Sequence, residues 1–251
     1  MQEKNRSQTA RPYYLDFSAI SAATVPIASF MTLPRILAAL AFSTLVTAQE
    51  AITPAEQKFD FQALAAGPVP DELMPTDPEA KFSIVADGEN KVLELAGQPI
   101  IDGGVLLGKS VKGGARVKAK IKAAGKRRTQ PRFGVGLHGV SGPRLMLMPA
   151  SKTIEIVRNV EKEETVASAP LDWKSGTWVW VEINLTPSAD GKSATIDGRV
   201  WAEGQPRPEQ PSVKYASADA VGQGKASVWA TPYAELPVQF DDVEVIPVAA
   251  K

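Results

Sequence analysis

The sequence predicts an all-β protein in which two antiparallel sheets form a sandwich. Apolar and polar residues alternate strictly over residues 115–123 and again over residues 178–185, which is the period of a half-buried strand. Turn signals such as Asp87-Gly88 separate the apolar runs, and no long amphipathic helix appears after residue 50. Roughly a dozen short strands in about 190 residues, with no helices to cover them, indicate two sheets packed face to face.

The composition excludes several kinds of site. The chain has 251 residues, with 28 basic and 28 acidic side chains, one histidine and no cysteine. Balanced charge creates no long-range field for nucleic acid, and the lysine-rich side of residues 115–123 lacks the interleaved aromatic residues on which bases stack. A chain without cysteine forms no disulfides or thiolate metal sites, and one histidine cannot make a multi-histidine zinc site. We therefore expect no nucleic-acid partner.

Three segments are predicted along the chain. Residues 1–30 show no sustained period and are interpreted as an unstructured or mis-assigned N-terminal extension. Residues 31–48 combine a basic start, an apolar run and small residues before Gln49, which is the pattern of a secretory signal peptide. The apolar run is too short for a membrane-spanning helix, which needs about 20 residues. We expect an exported protein, periplasmic or extracellular, whose sandwich domain covers residues 55–248 and which has no stable membrane span after signal removal.

The main functional signal is the predicted hairpin over residues 131–149. Its first strand places Phe133, Val135 and Leu137 on one side, and Arg132, Gly134, Gly136 and His138 on the other. Glycine inside a strand often marks the close approach of a ligand or another backbone. The pattern therefore predicts a bare strip of sheet with polar groups at its ends. The sequence does not fix the register of the hairpin. Either Arg144 and Met146 or Leu145 and Leu147 lie on the same side as the glycines.

Four motifs in this order resemble concanavalin-like jelly-roll domains of the laminin-G and glucanase type. They are the segments 88–94, 132–138, 172–178 and 240–245. The resemblance includes bacterial exported domains labelled 3-keto-disaccharide hydrolase-like. It covers residues 55–248 and implies two curved sheets, often with a sugar-binding concave face. One fold hosts many functions, so the resemblance does not fix an activity.

Eight residues are predicted to contact a ligand on the concave sheet: Arg132, Gly134, Gly136, His138, Arg144, Trp178, Trp180 and Trp201. Indoles offer an apolar surface for the C–H side of a sugar ring. Guanidinium forks bind carboxylates and sulfates, and histidine titrates near neutral pH. Strand parity turns Trp178 and Trp180 away from the apolar face of their strand, whereas Trp173 and Trp229 are interpreted as structural.

The sequence gives little sign of catalysis or of a metal ion. Jelly-roll glucanases place paired carboxylates on one strand as Glu-x-Asp-x-Glu, and this chain has no such run. The nearest match is Asp241, Asp242 and Glu244, so His138 remains the catalytic candidate. Laminin-G-like relatives often hold calcium through aspartates, for which Asp102, Asp241 and Asp242 are the candidate ligands. No other cofactor is expected.

Three functions stay open from the sequence. The first is a non-catalytic carbohydrate-binding module for a polysaccharide or oligosaccharide. The second is a hydrolase of a modified glycoside of the 3-keto type, with His138 and an unidentified carboxylate as acid and base. The third is a structural or protein-interaction domain, because laminin-G-like sandwiches also recognise proteins. The missing carboxylate run favours the first function over the second.

Signal-peptide cleavage is expected to leave an exported protein that begins near Gln49. N-terminal sequencing of the protein from the periplasm or the medium tests this expectation. Replacing Leu40 with Arg interrupts the apolar run and should retain the uncleaved precursor inside the cell. An exported protein that still carries residues 31–48 would contradict the interpretation.

Overall fold

A computed structural model of the chain describes residues 55–97, 102–159, 161–219, 221–233 and 235–251. In these ranges the protein consists of strands and loops and contains no helix, as the alternating pattern predicts. Consequently none of these residues belongs to a helix long and apolar enough to cross a membrane. The predicted extension at 1–30 and the predicted signal peptide at 31–48 lie outside the described residues.

Sixteen strands follow one another along the described residues. In chain order they are β1 (Gln57–Phe59), β2 (Gly67–Pro68), β3 (Met74–Pro75), β4 (Phe82–Asp87), β5 (Asn90–Leu95), β6 (Gly103–Lys112), β7 (Gly114–Lys122), β8 (Arg132–Gly136), β9 (Arg144–Met148), β10 (Thr153–Asn159), β11 (Glu163–Pro170), β12 (Trp178–Pro187), β13 (Ala194–Ala202), β14 (Val213–Ser217), β15 (Gln223–Thr231) and β16 (Val238–Val248).

The strands form two antiparallel sheets. The nine-stranded sheet has the order β14-β13-β12-β7-β16-β5-β4-β2, and β1 pairs with β16. The seven-stranded sheet has the order β11-β10-β9-β8-β15-β6-β3. Neighbours in space such as β7 and β16 are far apart in sequence, so long connections pass between the sheets. This is the expected two-sheet antiparallel sandwich.

The inner faces of the two sheets make the main core. Alternate residues of β7 and β12, including Val117, Ile121, Val181 and Ile183, are buried there, as their period predicts. Phe133 and Val135 of β8 enter the same core from the seven-stranded sheet. Side chains of opposite parity on these strands therefore lie on the outer faces, where any site on a sheet must be built.

A second, smaller apolar cluster lies on the outer face of the seven-stranded sheet. It contains Met146, Val157 and Trp229, with Met148 packed beside them. Trp229 is the cross-strand partner of both Gly104 and Gly134. A Cβ atom added at Gly104 would lie 2.6 Å from two carbon atoms of the indole, and one added at Gly136 would lie 3.0 Å from its nitrogen. The expected bare strip is therefore wrong, because the Trp229 ring fills it.

A methyl group at Gly104 should destabilise the fold, because the indole of Trp229 has no free space to move into. We expect Gly104→Ala to lower the free energy of unfolding by about 1–3 kcal/mol, the usual cost of overpacking, in urea denaturation. Gly222→Ala is the matched control, since its added Cβ would lie 3.6 Å from the nearest atom, His138 Nδ1. Equal stability of the two variants would contradict this account of the glycines.

Candidate functional site

The hairpin register places Arg144 on the same side as the glycines. Gly136 is the cross-strand partner of Arg144, and Gly134 is the partner of Met146. Leu145 therefore faces the main core, where it is buried. Arg144 consequently projects onto the outer face of the seven-stranded sheet, next to Trp229.

The Arg144 side chain lies flat on the Trp229 indole. The guanidinium carbon is 3.3 Å from the centre of the ring, and each of the two residues is only 2% exposed. Arg144 Nη2 donates to the carbonyl oxygen of Val140 at 3.0 Å, and Nη1 lies 3.5 Å from a carboxylate oxygen of Asp102. The indole N–H in turn donates to the hydroxyl of Ser227 at 2.7 Å. The cation is thus held by an aromatic face, a carbonyl group and one long ion pair.

Arg132 forms a second ion pair in the same cluster. Its Nη2 donates to a carboxylate oxygen of Glu163, the first residue of β11. Burial by itself lowers the pKa of Arg132, but the bond to Glu163 and the charges of Glu163 and Asp102 outweigh burial, so the pKa is raised. For Arg144, burial prevails over the charge of Asp102, and its pKa is lowered. The positive charge of Arg144 is therefore the less well compensated of the two.

We refer to Asp102, Arg132, Arg144, Glu163 and Trp229 as the Arg144 cluster. Both arginines have a buried Nε–H group without a hydrogen-bond partner among the described residues. Buried donors in proteins are nearly always satisfied, so the cluster contains two donors whose hydrogen bonding is incomplete. Asp102 and Glu163, whose side chains are 41% and 34% exposed, supply acceptors beside these donors. The cluster can therefore offer a ligand both kinds of hydrogen bond.

The candidate indoles lie on the other side of the sandwich. Trp178, Trp180 and Trp201 are on the outer face of the nine-stranded sheet, as the parity of their strands predicts. Trp180 stacks on Trp201 with ring centres 6.0 Å apart, and Lys118 Nζ lies 4.5 Å from the ring centre of Trp180. The Nζ atoms of Lys120 and Lys122 lie over the Trp178 ring, 5.1 and 4.9 Å from its centre. The expectation of one site that combines these indoles with the glycine strip is therefore wrong.

His138 also lies apart from the Arg144 cluster. β8 ends at Gly136, and His138 adopts a left-handed backbone with φ of 58°, so strand parity no longer determines its side. Its Nε2 donates to the carbonyl oxygen of Gly113 at 2.9 Å. The imidazole lines a separate cavity of about 680 Å³ together with Leu185 and Ile196. Burial lowers the pKa of His138, although the bond to Gly113 opposes the shift.

The aspartates considered for calcium or catalysis do not form one group. Asp102 accepts a bond from Thr231 at 2.7 Å beside Arg144, whereas Asp241 lies on the nine-stranded sheet and accepts from Asn90 at 2.7 Å. Asp242 follows Asp241 in a bulge with φ of 47°. No set of three or more acidic or histidine side chains in the described ranges is arranged to hold a metal ion. Asp102 thus lies beside a different sheet from Asp241 and Asp242, and a structural calcium at any of them stays a prediction.

The sequence did not predict a site role for two members of the Arg144 cluster, Glu163 and Trp229. Glu163 stands in a charged turn with no periodic signal, and Trp229 was interpreted as structural. The glycines on β6 and β8 were a signal for Trp229, since each needs a bulky neighbour or a ligand above it. The cross-strand pairing that identifies this neighbour is not visible in the linear sequence.

The neutral His138 should make stability depend on pH. Because its folded pKa is lowered, the unfolded chain binds a proton below pH of about 6.5 more readily than the folded chain does. This contribution to stability is present above about pH 6.5 and is lost as the pH falls. We expect His138→Gln, whose amide can also donate to Gly113, to flatten the loss of unfolding free energy between pH 7.5 and 5 in urea titrations. Parallel curves for the two proteins would refute the assignment.

Several solved structures resemble the described residues in fold. A xylan β-1,4-xylosidase from Bacillus halodurans C-125 superposes with a TM-score of 0.51 at 13% identity, over 77% of this chain and 39% of the xylosidase. A Bacillus subtilis protein of unknown function with a galectin-like fold gives a TM-score of 0.50 at 10% identity, over 78% of this chain and 100% of the other. The carbohydrate-binding module CBM66 from Bacillus subtilis gives 0.42 at 9% identity, over 73% and 98%.

The sequence comparisons gave no match. No protein-family model matches it, and no curated protein matches it significantly. At identities of 13% or less the structural likeness shows the fold alone. The chain therefore has the concanavalin-like jelly-roll fold that the order of its motifs predicts.

Proposed function

We propose that the protein is an exported carbohydrate-binding module and that the Arg144 cluster is its glycan site. Export is inferred from the signal-like pattern of residues 31–48. The fold supports the proposal at a general level, since it is a sandwich of the kind that lectins and glycanases use. The cluster supplies the specific argument, because it is the place on the seven-stranded sheet where charged and aromatic side chains meet.

The observation that carries the proposal is a pair of neighbouring, incompletely bonded arginines, of which Arg144 stacks on Trp229. Arg144 is buried with one N–H group unpartnered, and Arg132 has the same deficit. A buried guanidinium without its full set of acceptors is costly, and the fold retains two of them side by side. A ligand above the sheet would reach mainly Arg132, whose side chain is 18% exposed, whereas that of Arg144 is 3% exposed.

The neighbouring carboxylates suggest that the ligand is a polyhydroxylated, uncharged sugar. A hydroxyl group both donates and accepts, so two adjacent sugar hydroxyls can bridge a guanidinium and a carboxylate. Arg132 with Glu163 and Arg144 with Asp102 each offer such a pair. Because the two cations and the two anions balance, the cluster as a whole gives no preference for an anionic ligand. Tyr233, which is 41% exposed and close enough to influence Arg132, offers an aromatic surface at the margin.

The hydrolase alternative is less well supported by the geometry. His138 lines its cavity with Glu161, Glu164 and Asp219, which are carboxylates that a hydrolase would need. Glu164 and Asp219, however, are paired with Arg158, and the Nε2 atom of His138 donates to Gly113. A general acid or base needs a free nitrogen or oxygen directed at the substrate, which leaves Glu161 and His138 Nδ1 for such a role. The bond to Gly113 ties two loops together, which favours a structural role for His138.

Loss of either charged partner in the Arg144 cluster should weaken glycan binding. A hydrogen bond to a charged group contributes about 1.5–3 kcal/mol, so we expect Arg132→Ala and Glu163→Gln each to reduce affinity roughly tenfold or more. A glycan array identifies the ligand, and calorimetry with that oligosaccharide measures the affinities.

Trp180→Phe is the matched control, because Trp180 lies on the opposite face of the sandwich. This variant should bind the same oligosaccharide with unchanged affinity. Unchanged affinity in Arg132→Ala would refute the assignment of the site. A flat response across the array would reject the glycan-binding function and favour the protein-interaction alternative.

A further inference from the structure

A polar cavity opens on the outer face of the nine-stranded sheet, opposite the Arg144 cluster. Its volume is about 690 Å³, and it lies over β12, β13 and β14. Cavities of about 300–1,000 Å³ are the usual size for small-molecule sites. Its lining includes the polar and charged side chains of Asn184, Thr186, Thr195, Asp197, Arg199 and Lys214.

The floor of the cavity is prearranged by hydrogen bonds. Asn184 Nδ2 donates to Thr186 Oγ1 at 3.1 Å and to Asp197 Oδ2 at 3.0 Å, while Arg199 donates to the other carboxylate oxygen of Asp197. The charge of Asp197 is thereby neutralised within the floor. The Asn184 carbonyl oxygen and the hydroxyl hydrogen of Thr186 remain available, because the amide nitrogen of Asn184 makes both of its bonds. These groups match the hydroxyl groups of a sugar.

Lys214, which lines the cavity, and Arg116, which lies beside its lining as the neighbour of Asn184, differ from the other cations on the same face. Along β7, Lys118 pairs with Glu244 at 3.0 Å, Lys120 with Glu203 at 2.8 Å and Lys122 with Asp87 at 2.9 Å. Arg116, the next outward residue of β7 and the cross-strand partner of Asn184, has no acidic partner in the described part of the chain. Lys214, the partner of Asp197 on β14, likewise has none there.

Arg116 and Lys214 stand on the same row of the sheet, on either side of Asn184 and Asp197. They are three strands apart, which corresponds to about 14 Å between their Cα atoms at the usual strand spacing. Their long side chains can converge over the row between them. Because Asp197 is already neutralised, this part of the face carries an uncompensated positive charge next to hydroxyl and amide groups.

We propose that this cavity is a second saccharide site and that it takes an acidic sugar, with the sugar carboxylate held by Lys214 and Arg116. Carboxylates bind such cations through charge-assisted hydrogen bonds, and Asn184, Thr186 and Thr195 bind the ring hydroxyls. The inference does not depend on the proposed site at the Arg144 cluster. With both sites occupied, the domain would hold glycans on its two opposite faces.

Titration of the purified protein with a trisaccharide of galacturonic acid tests the proposal. Calorimetry should detect binding that weakens as salt is added, since salt screens the exposed cations. Lys214→Ala and Arg116→Gln should each reduce the affinity about tenfold, whereas Lys214→Arg should retain it. The matched control is Lys192→Ala, which removes an exposed lysine of the adjacent turn outside the cavity lining and should leave the affinity unchanged.

Two further ligands and one variant separate the outcomes. A neutral trisaccharide of galactose should bind at least tenfold more weakly, and equal binding would overturn the role of the cations. Inorganic sulfate that binds as well as the acidic trisaccharide, or no binding of that trisaccharide, would overturn the saccharide site. The cavity variants are measured with the acidic trisaccharide and the variants of the Arg144 cluster with the oligosaccharide found on the array, so failure here is distinguishable from failure at the Arg144 cluster.

Discussion

The burial of one face of every central strand between two sheets is the constraint on which the rest of this structure depends. Side chains alternate along a strand, so once Val117, Val181 and Val135 enter the common core, the residues between them must lie outside. This places the lysines and tryptophans of β7 and β12 on one outer face and the glycines and arginines of β8 and β9 on the other. The sandwich therefore has two chemically different surfaces.

The seven-stranded face is organised by the packing of one large ring on small residues. Trp229 can occupy its position because Gly104 and Gly136, against which its ring lies, have no side chains. The flat ring in turn provides the surface on which Arg144 stacks. Stacking and burial fix the guanidinium with little freedom, which lowers the entropic cost of ordering it when a ligand binds. The glycines thus make room for the Trp229 ring.

On the outer face of the nine-stranded sheet, neighbouring lysines and arginines differ in whether an acidic residue neutralises them. Three lysines of β7 are neutralised by acidic residues and also cover indole rings, so this region is a stable ladder with little affinity left for anions. Glu182 is buried beneath Arg199 and Arg207 and attaches the proline-rich loop after β13. Beyond this network the face becomes open and positively charged, because Arg116 and Lys214 have no such partners among the described residues.

The sequence by itself determined the strand pattern and hence the fold, because one face of each strand had to be apolar. It also determined that Trp178, Trp180, Arg132 and Gly134 lie on the side of their strands that faces away from the core. Only the tertiary structure decided which outward-facing residues of different strands share a surface, because paired residues such as Trp229 and Gly134 are distant in sequence. It also decided the side of Arg144, through the register of the hairpin, and the separate position of His138, whose left-handed backbone ends the alternation.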